Sequence, residues 1–169
     1  MQEDTNLSFD SCHAGSYGGG AWFNDATTLN SGTVSFKGCY ADKRGGGAYF
    51  KSSATLGNDV TFEKCYTTGT SDGGGGAWFN DAATLDEATS FEDCYTSGSG
   101  GAAYVAGGGI FTDVSINGHT TGKTTSLASN TANAAKGGAL YLANSKALTI
   151  VGGEIKNCSA SDETAGGAV

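Results

Sequence analysis

The feature that most constrains this 169-residue chain is a short phrase that keeps returning. Gly18-Gly-Gly-Ala-Trp-Phe23 recurs as Gly45-Gly-Gly-Ala-Tyr-Phe50 and Gly74-Gly-Gly-Ala-Trp-Phe79, then as Gly101-Ala-Ala-Tyr-Val105, Gly137-Gly-Ala-Leu140 and Gly166-Gly-Ala-Val169. A second phrase alternates with it: Phe9-Asp-Ser-Cys12, Phe36-Lys-Gly-Cys39, Phe62-Glu-Lys-Cys65, Phe91-Glu-Asp-Cys94, Leu127-Ala-Ser-Asn130 and Ile155-Lys-Asn-Cys158. Its last residue steps by 27, 26, 29, 36 and 28. Between the two lies a third apolar step, Thr28-Leu29, Thr55-Leu56, Thr84-Leu85 and Ala147-Leu148. Each period therefore offers three short strand-like runs parted by Gly, Asn, Asp and Ser turns, and self-similarity at this period marks a stacked array.

The expected fold is all-β: a right-handed parallel β-helix, a solenoid with about 27 residues and three short strands per coil. In such a coil each position falls in a column, ~4.8 Å from its counterpart in the next coil, and the hand follows the bias of parallel crossovers. Composition agrees, because 29 Gly serve sharp corners and the absence of Pro leaves every inner strand able to donate to the ladder. The alternation in Val34-Ser-Phe36, Val60-Thr-Phe62 and Thr89-Ser-Phe91 places Phe36, Phe62, Phe91 and Ile155 in the core. On the glycine-alanine strand two apolar columns compete: Trp22/Tyr49/Trp78/Tyr104/Leu140 and Phe23/Phe50/Phe79/Val105/Tyr141. Only one can face inward, which leaves the other either shielded by a loop or neighbouring subunit, or exposed as a strip for carbohydrate or partner protein.

The chain reads as a single β-helix segment over 1–169, with the step of 36 marking a loop insertion at 117–126. Both ends fall mid-pattern without a cap, which suggests a piece of a longer repeat protein or a subunit covered at its ends. Nine Lys and Arg against 17 Asp and Glu give a net charge of −8 with no basic stripe, which argues against nucleic acid and anionic membrane surfaces as partners. No apolar run reaches the ~18 residues of a spanning helix, so this segment is not expected to insert in a membrane.

Gly-Gly-Ala followed by an aliphatic residue, paired with Phe-x-x-Asn once per coil, resembles the repeat of the chlamydial polymorphic outer-membrane proteins. Gly137-Gly-Ala-Leu140 and Gly166-Gly-Ala-Val169 match the first element, while an aromatic follows Ala21, Ala48 and Ala77, and Cys replaces Asn at 12, 39, 65, 94 and 158. The resemblance implies a secreted or surface-exposed autotransporter passenger that acts as an adhesin, with a host or neighbouring cell-surface protein or glycan as partner.

Five cysteines at one repeat position should form a column, not a tetrahedral zinc cage. Two readings stay open: small buried thiols, or disulfides between adjacent coils strained by the ~4.8 Å rung spacing; Cys158, beyond Asn130, is the odd thiol out. An outward set, Asp10, Lys37, Glu63, Glu92, Ala128 and Lys156, lets Lys37 bridge Asp10 and Glu63. Beside it, Glu63 and Glu92 with Asp93 are conceivable calcium or acid/base groups, though a solvated charge ladder is the simpler reading. Asp25 and Asp81, two coils apart, sit near the outer limit for an inverting carboxylate pair. His13 and His119 are too far apart for Ser-His-Asp or Cys-His catalysis, and Asn117-Gly-His-Thr-Thr-Gly-Lys-Thr124 lacks the first Gly and the helix of a phosphate loop. An ice-binding Thr face is disfavoured because the Thr28, Thr55, Thr84 column ends in Ala147. No catalytic, cofactor or metal residue is assigned. The expected function is non-catalytic adhesion or surface display; the alternatives are a self-assembling stalk that associates end to end and a carbohydrate-active enzyme fragment.

Overall fold

The computed structural model describes residues 6–57, 59–117, 136–143, 146–160 and 169. The chain winds through coils of four strands. The first holds β1 (Leu7–Asp10), β2 (His13–Ala14), β3 (Ala21–Phe23) and β4 (Thr27–Leu29). The second holds β5 (Val34–Lys37), β6 (Tyr40–Ala41), β7 (Ala48–Phe50) and β8 (Ala54–Leu56). The third holds β9 (Val60–Glu63), β10 (Tyr66–Thr67), β11 (Ala77–Phe79) and β12 (Ala83–Leu85), and the fourth β13 (Thr89–Glu92), β14 (Tyr95–Thr96), β15 (Ala103–Val105) and β16 (Gly109–Thr112). β17 (Ser115–Asn117), β18 (Leu140–Leu142), β19 (Leu148–Val151) and β20 (Glu154–Lys156) extend three of the columns. Equivalent strands stack into four parallel sheets, β1-β5-β9-β13-β17-β20, β2-β6-β10-β14, β3-β7-β11-β15-β18 and β4-β8-β12-β16-β19. The fold is an all-β parallel solenoid of about 27 residues per coil, with no helix among the described residues.

The sequence pattern foresees three of these sheets. The fourth, made of two-residue strands, follows the cysteine, where Ser11, Gly38, Lys64, Asp93 and Asn157 each turn the chain with φ between 52° and 58°. Past this corner His13, Tyr40, Tyr66 and Tyr95 stack ring on ring, with centroids 4.1, 4.8 and 4.7 Å apart. Only one member of the corner column is Gly, so turn chemistry read from glycine passes over it.

Inside, three columns fill the lumen. Phe9, Phe36, Phe62 and Phe91 stack at 4.7 to 4.8 Å and continue into Ile116 and Ile155. Phe23, Phe50 and Phe79 continue into Val105 and Leu142, and Leu29, Leu56 and Leu85 into buried Phe111, with which the exposed Ile150 is in register. Phe36, Phe62 and Phe91 are buried as the alternation predicts, and Ile155 is half-buried against the same core.

Register corrects the sequence alignment in the later coils. Ile116 pairs with Phe91 and Ile155, so Val114-Ser-Ile116, not Leu127, is the fifth member of that column, and Asn117 replaces Ala128 in the outward charge column. Val114 and Ile116 are buried, which is why this alternating run takes the rung. Leu140 pairs with Ala103 and Tyr141 with Tyr104, one residue off the alignment made on Gly-Gly-Ala. The frame is kept by the left-handed glycine, Gly18, Gly45, Gly74, Gly100 and Gly137 with φ of 61° to 72°, so Ala139 stands at the third-glycine position and Leu140 at the alanine position. Thr149, not Ala147, stacks after Ile110 in the Thr28, Thr55, Thr84 column. The 117–126 insertion lies beyond Asn117 outside the described residues, as do His119, Leu127–Asn130 and 161–168.

That third-glycine position shows how tightly the lumen is filled. A Cβ built on Gly47 would come within 2.7 Å of both the Phe62 ring edge and the Gly76 carbonyl, and Gly20 and Gly76 meet Phe36 and Phe91 in the same way. Where Ala takes the position, at Ala102 and Ala139, register brings Ile116 and Ile155 into the ring's place. A methyl enters the corner only where a ring leaves it. Gly47→Ala is expected to cost about 1–3 kcal/mol through overpacking, and about 1 kcal/mol less in a Phe62→Ile background. Urea unfolding of the two single variants and the double variant measures that coupling; strictly additive losses would show that the ring edge is not the obstacle.

Candidate functional site

The strand Ala21–Phe23 and its counterparts turn their first and third residues into the lumen, so the middle residue points out. The competition between apolar columns is thus resolved: Phe23, Phe50, Phe79, Val105 and Leu142 face in, and Trp22, Tyr49, Trp78, Tyr104 and Tyr141 form an outer aromatic strip. The strip is covered unevenly. Tyr49 and Trp78 are 6% and 5% exposed, Tyr104 and Tyr141 are half-buried, and Trp22 is 58% exposed.

The cover comes from the turns that precede the left-handed Gly18 and Gly45. Arg44, the only Arg of the chain, lays its guanidinium 4.5 Å above the Trp78 ring and 5.3 Å from that of Tyr17. Its Nε donates to Asp72 Oδ1 at 2.9 Å, and Tyr17 stacks on Tyr49 at 5.1 Å. One cation therefore ties together side chains from three successive coils. Burial works against the charge, but the Asp72 carboxylate and the Tyr49 hydroxyl hold the Arg44 pKa above its ordinary value. Trp78 is also stacked against Tyr104 at 3.6 Å, while its buried Nε1 makes no hydrogen bond. Cation–π contacts of this kind contribute roughly 0.5–2 kcal/mol, which offsets that unmade bond.

Trp22 sits at the far end of the strip, edge-on to Tyr49 with centroids 6.4 Å apart. Its polar flank is Asn24, two residues on along the chain, and Lys51, whose Nζ donates to Asn24 Oδ1 at 2.9 Å. Both are exposed. An open indole beside a held amide and ammonium can stack a flat or C–H-rich surface and hydrogen-bond its rim. The sequence singles out the aromatic column but not this polar pair, because Asn24 and Lys51 become neighbours only through the register.

The cysteines do form a column, and none of the five is in a disulfide. Cys39, Cys65 and Cys94 are buried, and each Sγ donates to the carbonyl of the preceding coil's Phe9, Phe36 or Phe62 at 3.3 Å. The neighbouring Cys65 thiol and burial push Cys39 far above the usual thiol range. At Cys65 the pull of Cys39 in the other direction is outweighed by Cys94 and burial, so its pKa also rises. Cys12 and Cys158 are half-exposed.

The remaining candidates stay local. Lys37 pairs with Glu63 at 3.0 Å, while Asp10 accepts from Ser11 Oγ at 2.7 Å. Glu63 also takes Lys64 at 2.5 Å, and Lys64 and Lys37 together hold its carboxyl below the usual range. Asp25 accepts from Asn24 Nδ2 at 3.2 Å, whereas Asp81 caps the Ala82 N–H at 2.8 Å and meets Ser53 Oγ at 3.5 Å. The structure does not bring these two carboxylates into a shared network. His13 stacks on Tyr40 and reaches Asp42 at 3.1 Å. Among the described residues no three His, Cys, Asp or Glu side chains converge on a metal position.

The buried acids set an alkaline limit. Burial and Tyr66 push Tyr95 up to about 12, and Cys39 and Cys65 are raised from 9.0. Above the unfolded thiol value the folded chain keeps protons that the unfolded chain gives up, so stability falls as pH rises from about 9. Urea midpoints between pH 7 and pH 11 should therefore decline. Native-state labelling with a maleimide should modify Cys12 and Cys158 while sparing Cys39, Cys65 and Cys94 until the chain unfolds. A flat midpoint, or five thiols labelled at equal rates, would contradict the buried column.

No family model, curated protein or solved structure matches the chain.

Proposed function

We propose that this chain is a non-catalytic adhesion and display segment of an extracellular β-helix repeat protein, with a neighbouring cell-surface protein or glycan as its partner. The observation that carries the reading is the outward aromatic strip Trp22, Tyr49, Trp78, Tyr104 and Tyr141, one column on the outer face of a regular coil, in which the Tyr104 and Tyr141 rings stay half-exposed. A column of rings held on stacked rungs can stack a flat or C–H-rich surface of a partner. Alternation of Gly-Gly-Ala with Phe-x-x-Cys resembles the polymorphic outer-membrane protein repeat, which supports a surface location and an adhesive role. An enzyme reading draws less support, because Asp25 and Asp81 are each engaged with their own neighbours.

Binding of the purified chain to immobilised cell-surface glycans and proteins tests this directly. Selective binding is expected, at least tenfold weaker for Trp22→Ala with an unchanged thermal melt; a parallel deletion of 118–126 asks whether the insertion shares the contact. A folded chain that binds nothing, and whose sedimentation coefficient grows with concentration, would instead establish a self-assembling stalk. Release of reducing sugar or unsaturated product from a polysaccharide would establish an enzyme.

A further inference from the structure

We infer that the buried cysteine column binds a soft monovalent cation, copper(I), with one ion held in line between Cys39 and Cys65 and a second between Cys65 and Cys94. The inference is independent of the adhesion reading. Register supplies the geometry. Lys37, Glu63 and Glu92 pair across the rungs just before the three cysteines, and Tyr40, Tyr66 and Tyr95 pair just after them, so the cysteines between are stacked. Their side chains also share one orientation: each Sγ lies 3.3 Å from the Phe carbonyl of the preceding coil and 3.5 or 3.6 Å from the carbonyl two residues before it in its own coil. One thiol therefore maps onto the next by the rung spacing, ~4.8 Å. A metal–thiolate bond is ~2.3 Å long, so a straight sulfur–metal–sulfur unit spans ~4.6 Å and fits the column without a shift of the backbone.

The surroundings choose the ion. The thiols run in line and do not converge, and among the described residues no three ligating side chains meet, so an ion in either gap finds two sulfurs. Four-coordinate zinc is left two ligands short. A Cβ built on Gly47 would already lie 3.2 Å from Cys65 Sγ, which leaves no room there for a third ligand. Thiolate sulfur without nitrogen or oxygen partners favours copper(I), whose filled d shell accepts two ligands in line. All three thiols are buried, and a buried net charge is costly. Each ion therefore takes the place of one thiol proton, which leaves to solvent; three thiols become two thiolates and one thiol around two cations, and the column stays neutral. The weak S–H bonds to carbonyl oxygen that are given up are replaced by metal–sulfur bonds. Cys65 is shared by both ions, whereas Cys39 and Cys94 each serve one.

Anaerobic titration of copper(I), buffered by bathocuproine disulfonate, into the whole chain carrying Cys12→Ser and Cys158→Ser tests the column, with loading during refolding as a second route to the buried thiols. Thiolate-to-copper absorption is expected to saturate at two ions per chain, with the sheet signal in circular dichroism intact and the thermal melt raised. Affinity should climb about tenfold per pH unit below the thiol range, since one proton leaves per ion. Cys65→Ser should lose both ions, while Cys39→Ser or Cys94→Ser should lose one and keep the other. X-ray absorption, which needs no substitution in the core, should find two sulfurs around each copper. No copper bound by either route, equal losses in the three core variants, three or more sulfurs per copper, or binding that dissolves the sheet signal would overturn the site.

Discussion

The parallel ladder holds each residue about 4.8 Å from its counterpart in the next coil, and every other property of this molecule is a consequence of that spacing. Flat rings tolerate it well, and so Phe9, Phe36, Phe62 and Phe91 stack with centroids 4.7 to 4.8 Å apart and planes within 6° of parallel. Identical neighbours above and below also mean that a change at one rung is felt by the two beside it. The lumen answers such changes in pairs, as where Ala102 accompanies Ile116 instead of a Phe. A solenoid of this kind is less a set of independent repeats than a few columns, each with its own packing rule.

Outside the lumen the same spacing produces columns with no core to cover them, and the chain manages each one separately. The tyrosine column shields itself by stacking, ring on ring, from Tyr40 to Tyr95. The aromatic strip is too uneven for that, since Trp22, Tyr49, Trp78 and Tyr104 differ in size and tilt. It is closed instead by a single guanidinium, held between Trp78 and Tyr17 and anchored on Asp72. Because Arg44 occurs once, cover is local. Each of these rings is covered from the coil before it, Tyr49 by Tyr17 and Trp78 by Arg44.

Much of this is legible in the sequence, because period and alternation are statements about columns. The coil length, the inward Phe36, Phe62 and Phe91, and the shared slot of the cysteines all follow from them. What escaped was whatever depends on conformation without a fixed residue type. The corner at Ser11, Gly38, Lys64, Asp93 and Asn157 shares a left-handed φ but no chemistry, so the fourth sheet was hidden. Matching letters at Gly-Gly-Ala displaced Leu140 by one position, whereas the left-handed Gly137 keeps the true frame. The site was half visible for the same reason: Trp22 belongs to a repeated column, but Asn24 and Lys51 meet only across the register.

The thiol column shows why cysteine suits this slot. A buried donor must find an acceptor, and at each rung the Phe carbonyl of the preceding coil stands 3.3 Å from the thiol. A thiol meets that requirement with one weak bond and little volume, leaving room for the Phe ring next to it. Joining two rungs as a disulfide would draw Cβ atoms from ~4.8 Å to ~3.8 Å and release both carbonyls from their donors. The rung spacing that stacks the phenyl rings so closely therefore also favours the reduced thiol, and the column's chemistry is a by-product of its packing.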